Sequence, residues 1–377
     1  MKNSFGQSVI LTLFGESHGA EIGAVLDGLA PGIEINQEYI QEKLRLRRPL
    51  GAISTARSEQ DDFRIVSGVF EGRTTGTPLC ILIPNQDTRS RDYASIRKLA
   101  RPGHADYTAY CKYHGFEDYR GGGHFSGRVT AALVAAGAIC QYALEQKEIY
   151  IGTHILRCGN VCDRAFEDYA EDIAAAAKRE FPVLEPAVEQ PMREAILQAK
   201  AEGDSIGGVL QTAAIGVPAG VGEPWFDSME GVLCHALFSI PAVKGVEFGD
   251  GFALAAEKGS RANDPFGVQD GQIVTKTNHN GGINGGITNG MPIVFQCAVK
   301  PTPSIAKEQN TVDFVEKKEA SLQIQGRHDP AIFHRARAVV DSVTALVLCD
   351  MLALRFGTDS LGANGSLFPQ NIAEKPL

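Results

Sequence analysis

Val129-Thr-Ala-Ala-Leu-Val-Ala-Ala-Gly-Ala-Ile-Cys-Gln-Tyr-Ala-Leu144 is apolar nearly all the way round and contains no proline. A helix with one apolar stripe rests on a core, whereas one that is apolar on every side lies inside it. The segment 336–355 repeats the pattern, broken by Arg337, Asp341, Ser342, Thr344 and Asp350. Burying two such helices requires layers on both sides of them. Outward from the first helix, strands are expected at 8–14, 22–29, about 64–70 and 78–83. Two more, 207–217 and 291–299, precede the second helix. Asn36 is placed as the N-cap of a helix through about Arg48, stopped before Pro49. Segment 163–202 carries ten acids against five bases and reads as a solvated, peripheral helical pair.

The chain has 377 residues, 44% hydrophobic and 21% charged, which excludes global disorder. No Pro/Ser-rich linker divides it, so a single domain is expected over 1–377, with a core of about 4–355 and a tail of about 356–377. Gly15-Glu-Ser-His-Gly-Ala-Glu-Ile-Gly-Ala-Val-Leu26 echoes Gly203-Asp-Ser-Ile-Gly-Gly-Val-Leu210, which suggests an internal duplication with pseudo-two-fold layers. The net charge of −9 argues against a nucleic-acid partner. No apolar run reads as long enough for a membrane span, and Met1–Gln7 lacks a signal-peptide layout. The eight cysteines are scattered, with no second pair to complete a zinc site. They read as reduced thiols, and the expected compartment is the cytoplasm.

Glycine is in excess, 41 residues against a usual share of about 7%. Much of it frames polar loops. Gly15-Glu-Ser17-His18-Gly19 ends a strand; it fits a tight turn with a surface histidine as well as a ligand loop. Lys43, Arg45, Arg47, Arg48 and Arg57 form a run free of acids. It fits a solvated helix end or an anion site. Arg101-Pro-Gly-His104-Ala-Asp106 presents an arginine that can grip an anion and a histidine that can shuttle a proton.

Arg120-Gly-Gly-Gly-His124-Phe125-Ser126-Gly-Arg128 leads directly into the buried helix. A glycine loop feeding a helix N-terminus suits an anion. Arg128 at that end opposes the dipole unless an anion accompanies it. The Gly-Lys-Ser/Thr ending of a P-loop and the G-x-G-x-x-G of a dinucleotide fold are both missing. The glycines of 281–290, with Lys300-Pro301-Thr302-Pro303-Ser304 beyond, suit a second phosphate or the edge of a flat ring. Gly326-Arg327-His-Asp329-Pro330 offers an Arg–Asp pair. Together the six loops read as one large anionic site.

Phe14–Gly19, Arg101–Asp106, Arg120–Gly123, Gly203–Gly208, Lys244–Glu247 and Gly326–Pro330 resemble, in order, the motifs of the chorismate synthase family. The resemblance implies an α+β fold, a single-domain β-α-β sandwich with helices packed between two antiparallel sheets, assembled as a homotetramer. It implies a carbon–oxygen lyase: 1,4-anti elimination of phosphate from 5-enolpyruvylshikimate 3-phosphate, giving chorismate, with reduced FMN as cofactor. By resemblance, Arg47, Arg48, Arg101, Arg128 and Arg327 hold the substrate. His18 would protonate the departing phosphate and His104 the reduced flavin. Asp329 would help to take the C6 proton, and Ser17 and Ser126 would position these groups. FMN contacts would fall to His124, Phe125, Ser126, Ala242, Gly285, Lys300, Pro301, Thr302, Pro303, Ser304 and Arg327. His124 and Phe125 replace an Arg and a Ser usual in the family, and Ile53 stands where an Arg is frequent, with Arg45 or Arg57 as candidates to substitute. Two further readings are an enzyme whose main activity is FMN reduction by NADPH, and an inactive flavin- or phosphate-binding relative.

Overall fold

Helix α3 (Thr130–Glu145) and helix α7 (Phe333–Phe356) pack against each other in the core of the computed structural model, which describes residues 2–55, 59–86, 97–324 and 329–367. Gly137 sets how closely they approach: a Cβ there would lie 2.3 Å from the Cβ of Ser342 and 2.7 Å from its Cα. From Ala131 to Leu144 every residue of α3 except Tyr142 is buried, and α7 is buried from Arg337 to Ala353.

The polar breaks in α7 each have a partner, as burial requires. Ser342 and Thr344 donate back to the carbonyls of Ala338 and Val340, and Asp341 accepts from Thr153. Asp350 accepts the N–H groups of Gln7, Ser8 and Val9. Arg337 donates to the carbonyls of Ala176 and Arg179, at the C-terminus of α4 (Tyr169–Ala177), where a cation suits the helix dipole.

Two five-stranded sheets flank this helix pair. The first contains β1 (Ser4–Phe5), β2 (Ile10–Gly15), β3 (Glu21–Asp27), β4 (Arg64–Ser67) and β5 (Leu79–Pro84), ordered β1-β2-β3-β5-β4. The second contains β6 (Tyr150–Cys158), β7 (Val161–Cys162), β8 (Gly208–Ile215), β9 (Val243–Phe248) and β10 (Ile293–Val299), ordered β9-β10-β8-β6-β7. All these neighbours pair antiparallel. Helix α3 packs on β2, β3 and β5, and α7 packs on β6 and β8.

The second sheet is covered on both faces. Alternation along β10 puts Ile293 and Phe295 in the main core and Val294 in a separate cluster with Phe166, Ile173 and Ala176. The acidic segment 163–202 supplies that outer cover through α4, with α5 (Pro186–Ala201) beside it against β6 and β7. It is therefore less solvated than its composition suggests. Asp163 accepts the N–H groups of Leu184 and Glu185, and Asp172 pairs with Arg164 at 2.6 Å.

Asn36 caps α1 (Gln37–Arg45) by accepting from the Tyr39 N–H. The helix stops short of Arg48 because its end tightens: the N–H groups of Arg47 and Arg48 bond to Leu44 and Arg45, three residues back. Helix α2 (Asp106–Tyr113) forms directly after the Pro102-Gly103 turn. Helix α6 (Met229–Leu237) packs on α7 as α1 packs on α3.

The membrane reading is amended at one point. Gly127–Glu145 is long and apolar enough to cross a bilayer by length and composition, alone in this among the described residues. It is 83% buried inside the protein.

Candidate active site

Residues from 47–49, 101–105, 121–128 and 300–304, with Asp329, converge on one cavity of about 1030 Å³, whose lining includes neither the 15–19 turn nor the glycines of 281–290. Its lining carries Lys2, Arg47, Arg48, Arg101, Arg128, Lys244, Lys300 and Arg335 against Glu59, Asp61 and Asp329. Its apolar wall includes Leu133 from α3 and Val339, Val343 and Leu346 from α7. Ligand pockets usually measure about 300–1,000 Å³, so there is room for two medium-sized ligands side by side.

Two histidines flank the glycine triplet. Ser17 and His18, in the turn between β2 and β3, lie against Gly121; a Cβ there would stand 2.5 Å from His18 Nε2 and 2.9 Å from Ser17 Oγ. Gly122 faces His104 instead, with Nε2 3.5 Å from where its Cβ would be. All three glycines take positive φ, 60°, 85° and 53°. The triplet is fixed to the first turn by the Ser17 N–H, which donates to the Gly123 carbonyl at 3.0 Å. Ser17 is fully buried and its Oγ has no hydrogen-bond partner among the described residues. Gly121 lines the cavity, and His18, packed against it, is not among the lining residues.

The anion inferred beside Arg128 is supplied by the protein. Asp61 binds Arg128 Nη1 through one oxygen and Arg47 Nη1 through the other, the latter at 3.0 Å. Glu59 lies 3.1 Å from Arg128 Nη2, and Asn85 accepts from its Nε at 2.9 Å. Asp61 reaches both arginines from a left-handed backbone conformation, φ 56°. Burial pushes the Arg47 guanidinium down to about 10, opposed by the Asp61 charge. Ser126 caps the turn into α3, accepting from the Arg128 N–H. Arg47 and Arg128 are thus balanced locally by Asp61 and Glu59, and face the cavity with their donors largely engaged.

Arg101 is similarly committed. Its Nε and Nη2 grip Asp106 at 2.7 and 2.6 Å, and His104 Nδ1 lies 2.8 Å from the same carboxylate. Burial raises the Asp106 pKa, but hydrogen bonds from Arg101 and His104 outweigh it, so this carboxyl titrates well below the ordinary range. Arg48 donates to the Gln60 carbonyl, while its buried Nε has no hydrogen-bond partner among the described residues. Asp329 accepts from the Thr55 N–H at 2.8 Å and from Arg335 Nη1 at 2.8 Å. The expected partner Arg327 lies outside the described residues. Arg335, in the first turn of α7, takes that place and also donates to the Arg47 carbonyl.

On the opposite wall, Ala242 holds a left-handed φ of 75° and accepts from the Lys300 N–H. Lys300 Nζ reaches the Gly103 carbonyl. Thr302 and Ser304 line the cavity with Pro303, and the buried Thr302 Oγ1 has no hydrogen-bond partner among the described residues. His124 is pinned by the Gly15 carbonyl, 2.8 Å from its Nδ1, and Phe125 is 39% exposed at the rim.

Some expected contacts fall elsewhere. Gly285 is not on the cavity: with Gly286 it forms the two-residue turn of hairpin 283–288, both at positive φ. Gly281 and Gly282 serve close backbone approach; Cβ atoms there would meet Gly249 N and Pro292 O at 2.5 and 2.4 Å. Pro301 is not among the lining residues. Arg45 does not substitute for an arginine at buried Ile53, since it pairs with Glu180 on the surface. Arg57 lies outside the described residues. Glu59, Asp61 and Arg335 were missed; an arginine in a helix's first turn is a signal that a carboxylate is near, and it could have exposed Arg335.

Fold and site define an α+β enzyme built to hold polyanions beside two histidines. A family model described as chorismate synthase matches residues 9–353. The chain is 48% identical over 350 residues to a chorismate synthase of Pyrococcus abyssi, covering 93% of this chain and 97% of that one. It is 45% identical over 355 residues to one from Aeropyrum pernix, covering 94% and 93%. A solved structure described as chorismate synthase superposes with a TM-score of 0.74 at 30% identity, covering 94% of each chain. The chain belongs to the chorismate synthase family. It is an enzyme, a lyase acting on a phosphate ester, and its reaction is the elimination of phosphate that yields chorismate.

Proposed function

We infer that the cavity binds 5-enolpyruvylshikimate 3-phosphate together with reduced FMN. The observation that carries this is the basic cavity, large enough for both, with His18 and His104 set on either side of Gly121–Gly122. The residues fit the flavin: an orphaned Thr302 Oγ1, the Ser304 hydroxyl and Lys300 stand beside the strained Ala242 turn. Phe125 and His124 offer an apolar face and a polar edge at the rim. When bound, reduced flavin supplies electron density that helps the phosphate C–O bond break and recovers it, so the net reaction is redox-neutral.

Arg48, Arg335 and the free edge of Arg101 hold the phosphate and carboxylates, and the substrate's anions compete with Asp61 and Glu59 for Arg47 and Arg128. His18 delivers a proton to the departing phosphate. His104 holds a proton at the flavin through Nε2. Asp329, oriented by Thr55 and Arg335, assists removal of the C6 proton. Ser17 positions His18.

The same reading includes a cytoplasmic homotetramer. Exposed Phe116, Trp225, Phe226 and Phe252 support assembly. It also includes an internal duplication: β2-β3-α1-β4-β5-α3 and β6-β8-α6-β9-β10-α7 share element order, and β2-β3-β5-β4 mirrors β6-β8-β10-β9.

The test is oxygen-free chorismate formation from the phosphorylated substrate with pre-reduced FMN, and separately with oxidised FMN and NADPH. His104→Ala is expected to lower turnover by about 10²–10⁴, the usual weight of a positioned acid–base group. Turnover within twofold of the unaltered enzyme would remove His104 from the chemistry. Product only with pre-reduced flavin would show that the chain relies on an outside reductant.

A further inference from the structure

We propose that Asp106 is the positioning residue of His104, fixing its tautomer so that Nε2 presents a lone pair, or the reacting proton, toward the glycine triplet. This rests on the reading of His104 given above.

The geometry leaves one consistent assignment of protons. Asp106 Oδ2 accepts from the Arg101 backbone N–H at 3.0 Å and from Arg101 Nε at 2.7 Å. Oδ1 accepts from Arg101 Nη2 at 2.6 Å and lies 2.8 Å from His104 Nδ1. An ionised carboxylate can only accept, so the Nδ1 contact requires Nδ1–H. Arg101 Nη2 is also 3.1 Å from Nδ1, but a ring accepting there would set its Nδ1 lone pair against the carboxylate oxygen at the shorter distance of 2.8 Å, two acceptors in contact. With Nδ1 protonated, the neutral ring must keep Nε2 free, and Nε2 lies on the Cε1–Nε2 edge turned toward Gly122, both atoms 3.5 Å from where its Cβ would be. The Asp106 side chain is 16% exposed and that of His104 19%, so water competes weakly for these bonds.

Sequence spacing builds the device. Pro102 and Gly103 turn the chain, and the His104 N–H closes the turn on the Arg101 carbonyl at 3.0 Å. Asp106 then occupies the first position of α2, where a carboxylate suits the helix dipole. Arg101 is mainly the counter-charge of that carboxylate, leaving only its remaining edge for an anion. Other charged groups around His104 come from separate elements: Arg97, Glu117 and Asp118 on one side and Lys300 on the other. None of these four has a hydrogen bond to the ring among the described residues.

The experiment uses full-length protein with ¹⁵N-labelled histidine. In the unaltered protein, long-range ¹H–¹⁵N spectra assigned with His104→Gln are expected to show Nδ1–H and an unprotonated Nε2 for the neutral ring. An Nε2–H tautomer there would overturn the proposal without any variant. In Asp106→Asn, the amide oxygen stays on the Arg101 N–H and Nε, so the NH₂ group faces Nδ1. The ring is then expected to switch to Nε2–H, and kcat to fall about 10–100-fold with a smaller change in KM, part of the weight of an acid–base group. An unchanged tautomer in the variant would also sink the proposal. A switched tautomer with unchanged kcat would uphold the positioning role and instead refute the catalytic reading of His104.

Discussion

Arg128 shows how far a single residue can be read. Its position at a helix start signalled an accompanying negative charge, and the structure places one there. Asp61 and Glu59 supply it from a loop some 70 residues earlier, a pairing that no local pattern encodes. The histidines were legible because Gly and Pro frame them. That His18 packs against Gly121 was not, because it depends on how two distant turns meet. Gly121→Ala is therefore a sharp test. The new Cβ would meet the His18 ring at 2.5 Å in a backbone region that alanine dislikes. Turnover is expected to fall about 10²-fold through misplacement of His18, with a melting temperature lowered by several degrees through the strained backbone. Unchanged turnover would show that His18 needs no such placement.

At the scale of elements, the two buried helices were plain from composition, and the structure places them within a residue or two at most ends. Strand β6 was not found. Tyr150-Ile-Gly-Thr-His-Ile-Leu-Arg-Cys158 neither alternates nor runs apolar, yet Thr153 and His154 are buried at 2% and 0% exposure. Their partners are on neighbouring chain segments: Thr153 meets Thr212 and Asp341, and His154 meets Gln211 and Asp163. The helix crossing gives a second prediction. Gly137→Ala would drive a methyl group into Ser342, whose Cα is 2.7 Å away and cannot rotate aside. A loss of about 3 kcal/mol or more is expected, at the upper end for overpacking, read as a lower urea midpoint. An unchanged midpoint would mean that the helices separate freely, contrary to a close-packed core.

For the whole molecule, the net charge of −9 describes the surface and misdescribes the site. Acids gather on the outer helices while the cavity lining is strongly basic. Buried His334 sets the acid stability. Burial, with Arg335, Arg193 and Arg337 nearby, lowers its pKa from 6.5 to about 3. The unfolded chain therefore takes up a proton that the fold refuses. This contribution is full above about pH 6.5 and is lost as the pH falls toward 3, up to about 5 kcal/mol. Asp106, whose pKa is depressed, adds a loss only below about pH 4. His334→Gln should flatten the stability curve between about pH 6.5 and 4, measured by urea unfolding; an unchanged slope would refute this.

By itself the sequence determined the buried helix pair, the glycine-framed loops and the family, because apolar periodicity and turn chemistry are local. Tertiary structure alone decided which carboxylate neutralises which arginine, which glycines serve backbone packing, and which nitrogen of His104 faces the cavity. Those depend on distances between residues far apart in the chain, and electrostatic and steric energies are set by distance, not by sequence separation.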